Sequence, residues 1–155
     1  GIDDDLAVLR EDYSNALITV GQIKSPDVRI NLYKKLKSLS YTLPVIVSPI
    51  AYVAKSTKIG EGTIIMHGAI INSGARIGVN CIINSKALVE HDAIIGDNCH
   101  VSTGAIVNGG VRVSSGTFIG SGVITKQSIE IGKNCVIGAG CIIKEDVPDN
   151  RLVTK

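Results

Sequence analysis

A histidine between two acids, Glu90-His91-Asp92, is the strongest candidate for chemistry in this sequence. Imidazole titrates near neutral pH, and an adjacent carboxylate can hold it in one tautomer and strengthen it as a base. Glu90 alone is explained as an exposed side chain, and Asp92 stands where a positive φ is expected, which aspartate tolerates. His91 has no such structural explanation, so we predict that it is a general base.

The element that must position His91 is a repeat of six residues, which runs from Val53 to Ile143. Every sixth residue is aliphatic except Thr125, and the residue four positions later is mostly small. Because side chains alternate along a strand, both positions face inward. The first column comprises Val53, Ile59, Ile65, Ile71, Ile77, Ile83, Val89, Ile95, Val101, Val107, Val113, Ile119, Thr125, Ile131, Ile137 and Ile143.

A third column, three residues after each aliphatic, is rich in Gly, Asn and Asp, with Ser56, Lys86 and Ser128 as exceptions. Gly, Asn and Asp suit corners at which the backbone takes a positive φ. Strands and corners that alternate with this period predict a parallel β-helix. Three hexapeptides then close one triangular coil of 18 residues, and residues 18 apart stack at roughly 4.8 Å.

The histidines and cysteines take different positions in this repeat. His67, His91 and His100 fall outside both inward columns, so none is expected in the core. All four cysteines occupy the small inward column, and Cys81 and Cys99 should stack on adjacent coils. A disulfide or a metal site is one interpretation of the cysteines. Their spacing is not that of a zinc site, so we favour core residues of about the size of alanine.

Residues 1–48 have no such period. An apolar run over 16–21 predicts a buried strand, and a second strand is predicted over 45–47. Ser25-Pro26-Asp27 predicts the start of a helix. The apolar face of this helix is expected to carry Val28, Leu32, Leu36 and Leu39. We therefore predict a partial Rossmann-like β-α-β segment over 1–48, without its N-terminal half, and a β-helix domain over 49–155.

Composition excludes several classes of function. The chain has 155 residues and is 45% hydrophobic but only 3% aromatic, which suits a narrow core. A net charge of +2 and the lack of an aromatic platform argue against nucleic-acid binding. The sequence has no run of eighteen apolar residues and no signal peptide, so a cytoplasmic protein is the expectation.

The repeats, with the run from Ile83 to Asp92 and the later His100-Val101-Ser102, resemble the left-handed β-helix acyltransferases. They are most similar to bacterial sugar acetyltransferases of the sialic-acid, bacillosamine and perosamine pathways. This resemblance implies acetyl-CoA-dependent acetylation of a nucleotide-activated amino sugar in surface glycan biosynthesis. It also implies a left-handed parallel β-helix, no metal, and a homotrimer whose active sites lie between neighbouring solenoids.

The resemblance implies roles for seven residues. His91 matches the family's base, and Asp92 matches the carboxylate that polarises it. Asn84 and Glu90 are expected near the sugar. Acetyl-CoA is expected to contact His100 beside its thioester, and Ser121 and Ala139 along its pantetheine arm. The family's glycine-rich start and its C-terminal Pro-Ala-Lys are not found in this sequence.

Three alternatives stay open. Some sialate O-acetyltransferases have glycine after the histidine, so Asp92 favours N-acetylation without excluding transfer to oxygen. The γ-type carbonic anhydrases share this solenoid and bind zinc with three histidines. Two of their ligands are five residues apart, whereas His91 and His100 are nine apart. A flat, threonine-rich face would favour a purely structural or partner-binding solenoid, and no such ladder is present.

Overall fold

A computed structural model describes residues 2–154 of the chain. Its main element is a parallel β-solenoid, in which two-residue strands stack into three sheets. Most paired strands are 18 residues apart along the chain, as His100 pairs with Ile82 on one side and with Phe118 on the other. The structure confirms the coil of three hexapeptides that the sequence predicts.

The three sheets are called faces 1, 2 and 3. Face 1 contains β1 (Ile46–Val47), β4 (Ile64–Ile65), β7 (Ile82–Ile83), β10 (His100–Val101), β13 (Phe118–Ile119), β16 (Val136–Ile137) and β18 (Leu152–Val153). Face 2 contains β2 (Tyr52–Val53), β5 (Ile70–Ile71), β8 (Leu88–Val89), β11 (Ile106–Val107), β14 (Ile124–Thr125) and β17 (Ile142–Ile143). Face 3 contains β3 (Lys58–Ile59), β6 (Arg76–Ile77), β9 (Ile94–Ile95), β12 (Arg112–Val113) and β15 (Glu130–Ile131).

One continuous core runs along the inside of the solenoid. From β2 onward, the second residue of each strand points into it, and the small residues beside the corners fill the space between coils. All four cysteines are free and buried, so the interpretation of them as core residues is confirmed. Thr125, the exception in the aliphatic column, is 1% exposed, and its Oγ1 accepts a hydrogen bond from the Asn108 N–H at 2.9 Å.

Most corners have the positive φ that the third column predicts, although Ser56 and Asp146 do not. Asn80, Asp92 and Asn98 have φ of 55°, 58° and 56°. Lys86 and Ser128 have φ of 59° and 57°, although their residue types did not predict this. The repeat therefore imposes the conformation on these two positions, because their corner N–H groups bond to His67 and Gly109 of the preceding coil at 3.0 Å.

The last coil is shorter than the others. Val136 pairs with Leu152 and Ile137 with Val153, a separation of 16 residues. The next corner moves with this change, since Asn150 has φ of 59° and donates its N–H to the carbonyl of Lys133 at 2.7 Å. The regular hexapeptide register thus ends with β17.

The structure does not confirm a β-α-β unit before the solenoid. A 3-10 turn (Asp3–Asp5) leads to α1 (Leu6–Asp12), and α2 (Asp27–Ser38) follows. The predicted strand over 16–21 is absent from the described residues, and a single bridge joins Asn15 to Thr42. The other predicted strand, β1, pairs with β4 of the solenoid instead. A two-stranded sheet is marginal on its own, whereas β1 joins a seven-stranded one. The division into 1–48 and 49–155 stays a prediction.

Helix α2 begins where the sequence predicts, and the Asp27 N–H donates to Ser25 Oγ at 3.1 Å. Leu32, Leu36 and Leu39 pack in a small second core with Ile18, Tyr41 and Leu43. The prediction for Val28 is wrong, because its side chain is 59% exposed, and Arg29 is buried instead at 0%. Neither α1 nor α2, the α-helices of residues 2–154, has the length and apolar character needed to span a membrane.

Candidate active site

His91 lies at the corner between β8 and β9, with its side chain 59% exposed. Its Nδ1 is 3.0 Å from Oδ2 of Asp92. Since a carboxylate only accepts, Nδ1 carries the proton and Nε2 keeps the free lone pair. The hydrogen bond to Asp92 raises the pKa of His91 above its ordinary value of 6.5, and the charges of Asp92 and Glu90 add to this. The geometry gives an exposed imidazole that is oriented as a base.

Glu90 is turned toward the preceding coil. Its Oε2 accepts a hydrogen bond from Nδ2 of Asn72 at 2.8 Å and one from the backbone N–H of His91 at 3.2 Å. Both bonds hold the chain that carries His91, so Glu90 stabilises this corner. Its predicted contact with a sugar stays a prediction.

Gly109 lies one coil beyond His91, directly against the imidazole ring. A Cβ on Gly109 would lie 2.6 Å from His91 Nε2 and 2.8 Å from Cε1, closer than such atoms approach. The backbone at Gly109 is outside the positive-φ region, unlike that of Gly110 at φ +68°. Gly109 is therefore required for space and not for conformation, and its missing side chain leaves Nε2 open.

His100 is buried, at 8% exposure, although it points away from the solenoid core. The expectation that no histidine would be a core residue came from the columns, and these could not show that another segment covers face 1. Residues 18–22, here called the strap, provide this cover. The carbonyl oxygen of Gln22 lies 2.7 Å from His100 Nδ1, and the ring meets that of Phe118 edge-on at 5.2 Å. Burial lowers the pKa of His100, the hydrogen bond to the Gln22 carbonyl opposes this shift, and the charge of Arg29 adds to it.

Asn84 lies beside His100, at the corner that joins face 1 to face 2. Its Nδ2 is 3.2 Å from His100 Nε2, and its Oδ1 accepts the backbone N–H of Ser85 at 2.7 Å. The structure thus brings together two predicted site residues that are 16 positions apart in sequence.

Ser121 and Ala139 are exposed at the same edge of the solenoid, on later coils. They stack, because the N–H of Gly140 donates to the carbonyl of Ser121 at 2.8 Å. Ser121 Oγ also lies 2.9 Å from Oγ of the buried Ser102. Asn84, Ser121 and Ala139 thus lie along one edge of the prism.

Within one chain, six of the seven predicted residues form two groups on two edges, and the seventh, His100, lies in β10 of face 1 beside Asn84. His91, Asp92 and Glu90 lie at the edge between faces 2 and 3, whereas Asn84, Ser121 and Ala139 lie at the edge between faces 1 and 2. Face 2 separates the two groups. A site that uses both groups would have to combine edges of neighbouring copies.

Among residues 2–154, no three His, Cys, Asp or Glu side chains are arranged to hold a metal ion. The three histidines have separate surroundings, since His91 bonds to Asp92 and His100 to Gln22 and Asn84, while His67 is exposed.

Sequence analysis missed Gly109, Gln22 and Asn72. Gly109 and Asn72 stand 18 residues after and before their partners His91 and Glu90, so the repeat itself carried a signal for both. Gln22 lies outside the repeat, and its contact with His100 spans 78 positions. Nothing in the sequence pattern indicated that contact.

Comparisons with known proteins define first a class and then a family. The family profile described as "Hexapeptide repeat of succinyl-transferase" matches residues 110–145. A perosamine N-acetyltransferase from Caulobacter crescentus, solved with CoA and GDP-perosamine, is 32% identical over 98% of this chain and 71% of its own, with a TM-score of 0.93. A comparison with curated protein sequences found no match.

Two further solved structures are similar. The acetyltransferase domain of PglB from Neisseria gonorrhoeae, solved with acetyl coenzyme A, is 28% identical over 92% of this chain and 70% of its own, with a TM-score of 0.84. WeeI from Acinetobacter baumannii is 26% identical over 92% of this chain and 69% of its own, with a TM-score of 0.85. This chain belongs to the sugar N-acetyltransferase family of the left-handed β-helix superfamily, which confirms the resemblance seen in the sequence.

Proposed function

We propose that this protein transfers the acetyl group of acetyl-CoA to the amine of a nucleotide-activated amino sugar, with His91 as general base. The observation that carries the proposal is the oriented His91–Asp92 pair, whose exposed imidazole has its Nε2 over Gly109. Family membership supports the reaction class, since the similar enzyme from Caulobacter crescentus was solved with CoA and GDP-perosamine.

In the proposed mechanism, the amine nitrogen of the sugar attacks the thioester carbonyl carbon, and Nε2 of His91 removes a proton from this amine. Asp92 stabilises the imidazolium that forms. A backbone N–H near the corner would stabilise the oxyanion. The C–S bond then breaks, and the imidazolium returns its proton to the departing thiolate. General-base action accounts for roughly 10²–10⁴ of the rate enhancement, and positioning of the two substrates supplies the rest.

The proposed contacts with the substrates use both edges of the prism. Asn84 and Glu90 are proposed to contact the sugar. The acetyl-CoA track is proposed to start beside His100 and to continue past Ser121 and Ala139. Because His100 is buried under the strap, we expect it to act through Asn84 and not as a direct ligand of the thioester.

Assembly is proposed to complete the site. The outward positions of face 2 form an unbroken apolar ladder: Tyr52, Ile70, Leu88, Ile106, Ile124 and Ile142. The end residues Tyr52 and Ile142 are 59% and 64% exposed, and apolar patches of this kind mark interfaces. On face 3, by contrast, the outward residues include Lys58, Arg76 and Arg112. A second copy packed on face 2 would bring its edge toward His91, and the family resemblance supports three copies.

A thiol-release assay tests this function. The purified protein is incubated with acetyl-CoA and a panel of nucleotide-linked amino sugars and free sialic acids, and the products are identified by mass spectrometry. We expect CoA release and a gain of one acetyl group on the amine of at least one nucleotide-linked sugar. Acetylation confined to the hydroxyls of sialic acids would favour the O-acetyltransferase alternative, and release with neither class would contradict the proposal.

A further inference from the structure

His100 is the middle member of a chain of hydrogen bonds whose two ends are backbone groups. At one end the carbonyl of Gln22 lies 2.7 Å from Nδ1, and at the other the N–H of Ser85 lies 2.7 Å from Asn84 Oδ1. A carbonyl only accepts and an N–H only donates. The direction of every bond between them is thereby fixed.

The direction follows step by step. The carbonyl of Gln22 requires a proton on His100 Nδ1. The N–H of Ser85 requires the oxygen of the Asn84 amide, so Nδ2 is the atom 3.2 Å from His100 Nε2. Because Nδ2 only donates, Nε2 must carry a lone pair and no proton. A doubly protonated imidazolium would place an N–H against an N–H, and burial opposes the charged form as well.

Arg29 holds the strap that supplies the Gln22 carbonyl. Its Nη1 donates to the carbonyls of Ile18 and Val20 at 3.0 and 2.6 Å, and its Nη2 donates to Oδ1 of Asn80 at 2.8 Å. These partners are uncharged, although the side chain is fully buried. A cation buried without an acid is costly. Arg29 nevertheless links two parts of the molecule, because it bonds both to the strap and to Asn80 at a corner of the solenoid.

Gln22 is fixed from a second direction. Its Nε2 donates to the carbonyl of Asn98 at 2.7 Å, and the side chain is 6% exposed. The strap is thus fixed to the solenoid directly through Gln22 and indirectly through Arg29.

We infer that Arg29 and the strap are a positioning device that keeps His100 as the neutral Nδ1–H tautomer and so fixes which way the Asn84 amide points. Asn84 is only half-buried, and it then presents the second N–H of its amide at the edge of the site. The group that it recognises is a hydrogen-bond acceptor, such as a ring or hydroxyl oxygen of the sugar. This inference rests on the proposed function for the identity of that ligand but not for the tautomer.

The tautomer is measured without substrate. Protein labelled with ¹⁵N-histidine is examined by long-range ¹H–¹⁵N correlation between pH 5 and pH 8, and the three histidines are assigned with His67→Asn and His91→Asn. We expect His100 to show a protonated Nδ1 and a bare Nε2 throughout this range, whereas His91 titrates. A protonated Nε2 on His100, or its titration near pH 6.5, would overturn the inference.

Two variants test how the tautomer is set. Asn84→Asp replaces the donor with an acceptor at an accessible position, so Nε2 should gain a proton and the pKa of His100 should rise. Arg29→Met should loosen the strap, so that His100 shows exchange between tautomers, and Arg29→Lys should restore part of the wild-type pattern. If Arg29→Met does not fold, the Asn84→Asp result decides alone. An unchanged His100 spectrum in Asn84→Asp contradicts the inference.

Activity then separates this inference from the proposed function. Where a sugar substrate is found, Asn84→Asp should raise KM for the sugar about tenfold, the effect of one misdirected hydrogen bond, with a smaller change in kcat. A wild-type His100 tautomer as expected, with no acetylation of any sugar, leaves the positioning device standing and refutes the proposed function. Acetylation by a wild-type protein whose His100 carries a proton on Nε2 would support the proposed function and refute the positioning device.

Discussion

Gly109 and His91 are in contact across adjacent coils, and a Cβ on Gly109 would fall 2.6 Å from the imidazole Nε2. The imidazole is the partner that would have to move, because it is a side chain whereas Gly109 is part of the solenoid backbone. Any side chain at position 109 must therefore turn His91 away from its bond with Asp92.

Gly109→Ala tests this contact. Because φ at Gly109 is not positive, alanine should be accommodated by the backbone and the protein should stay folded. We expect kcat to fall by about 10² or more, up to the full value of general-base catalysis. Steady-state kinetics with a sugar substrate identified by the thiol-release assay measures the loss.

The matched control is the double variant Gly109→Ala/His91→Ala. If alanine at 109 acts only by displacing the imidazole, it should cost nothing further once the imidazole is gone. Equal, additive losses in both backgrounds would show that Gly109 has a separate role.

His91→Ala should itself lose most turnover, by roughly 10²–10⁴-fold, while the proposed assembly stays intact. The ring is largely exposed and contributes little to packing. Size-exclusion chromatography with light scattering checks the assembly, and kcat checks the chemistry. A variant with unaltered kcat would remove His91 from the mechanism.

Asp92→Asn tests the pH dependence. His91 must be neutral to accept a proton, so activity is lost as the pH falls through its pKa, which Asp92 holds above 6.5. Without the carboxylate this pKa falls, and the acidic limb of kcat/KM against pH should move to lower pH. Asparagine tolerates the positive φ of 58° at this corner. An acidic limb that stays in place would mean that another group titrates.

Ile124→Glu tests the apolar ladder on face 2. A charge placed in a packed interface is left unpaired, so the assembly should dissociate toward the 16.3 kDa chain. Ile94→Glu makes the same change at an outward position of face 3, beside Arg76 and Arg112, and should leave the assembly intact. Light scattering distinguishes the two, and the reverse pattern would assign the interface to face 3.

Tyr33→Phe tests how α2 is fastened to the solenoid. Tyr33 Oη donates to Oε1 of Glu61 at 2.6 Å, and burial with this bond raises the pKa of Tyr33 to about 12. Loss of the bond should lower the free energy of unfolding by about 1–2 kcal/mol.

The same bond predicts an alkaline effect. Between pH 10 and about 12 the unfolded chain loses the phenol proton and the folded one keeps it, so wild-type stability should fall as the pH rises. Tyr33→Phe should lack this component, and urea titrations at pH 8 and pH 11 measure the difference. An equal decline in both proteins would show that other groups cause it.

The period of six was sufficient to predict the solenoid because each coil repeats the same demands. Inward positions need aliphatic residues and corners need a positive φ. The sixteen hexapeptides from Val53 onward therefore all predict the same structure. Lys86 and Ser128 show that the neighbouring repeats determine the conformation of a corner, since both residues take a positive φ against their own preference.

The N-terminal segment was harder to predict, because its structure depends on a surface that only the folded solenoid provides. The apolar run over 16–21 has the composition of a strand. Its carbonyls instead accept from Arg29, whose burial no amphipathic pattern indicated. His100 is buried for the same reason. Both features depend on contacts between the N-terminal segment and the solenoid, which are distant in sequence.

The strict 18-residue coil also has a consequence for how this scaffold can vary. Each whole coil adds roughly 4.8 Å along the prism axis. Ser121 and Ala139 of the proposed acetyl-CoA track therefore lie at fixed distances from His100 along this axis. Inserting one complete coil before Ser121 would preserve every corner and the core, yet would move these two residues by one step. Under the proposed function, such a molecule should accept a longer acyl carrier arm without any change near the imidazole.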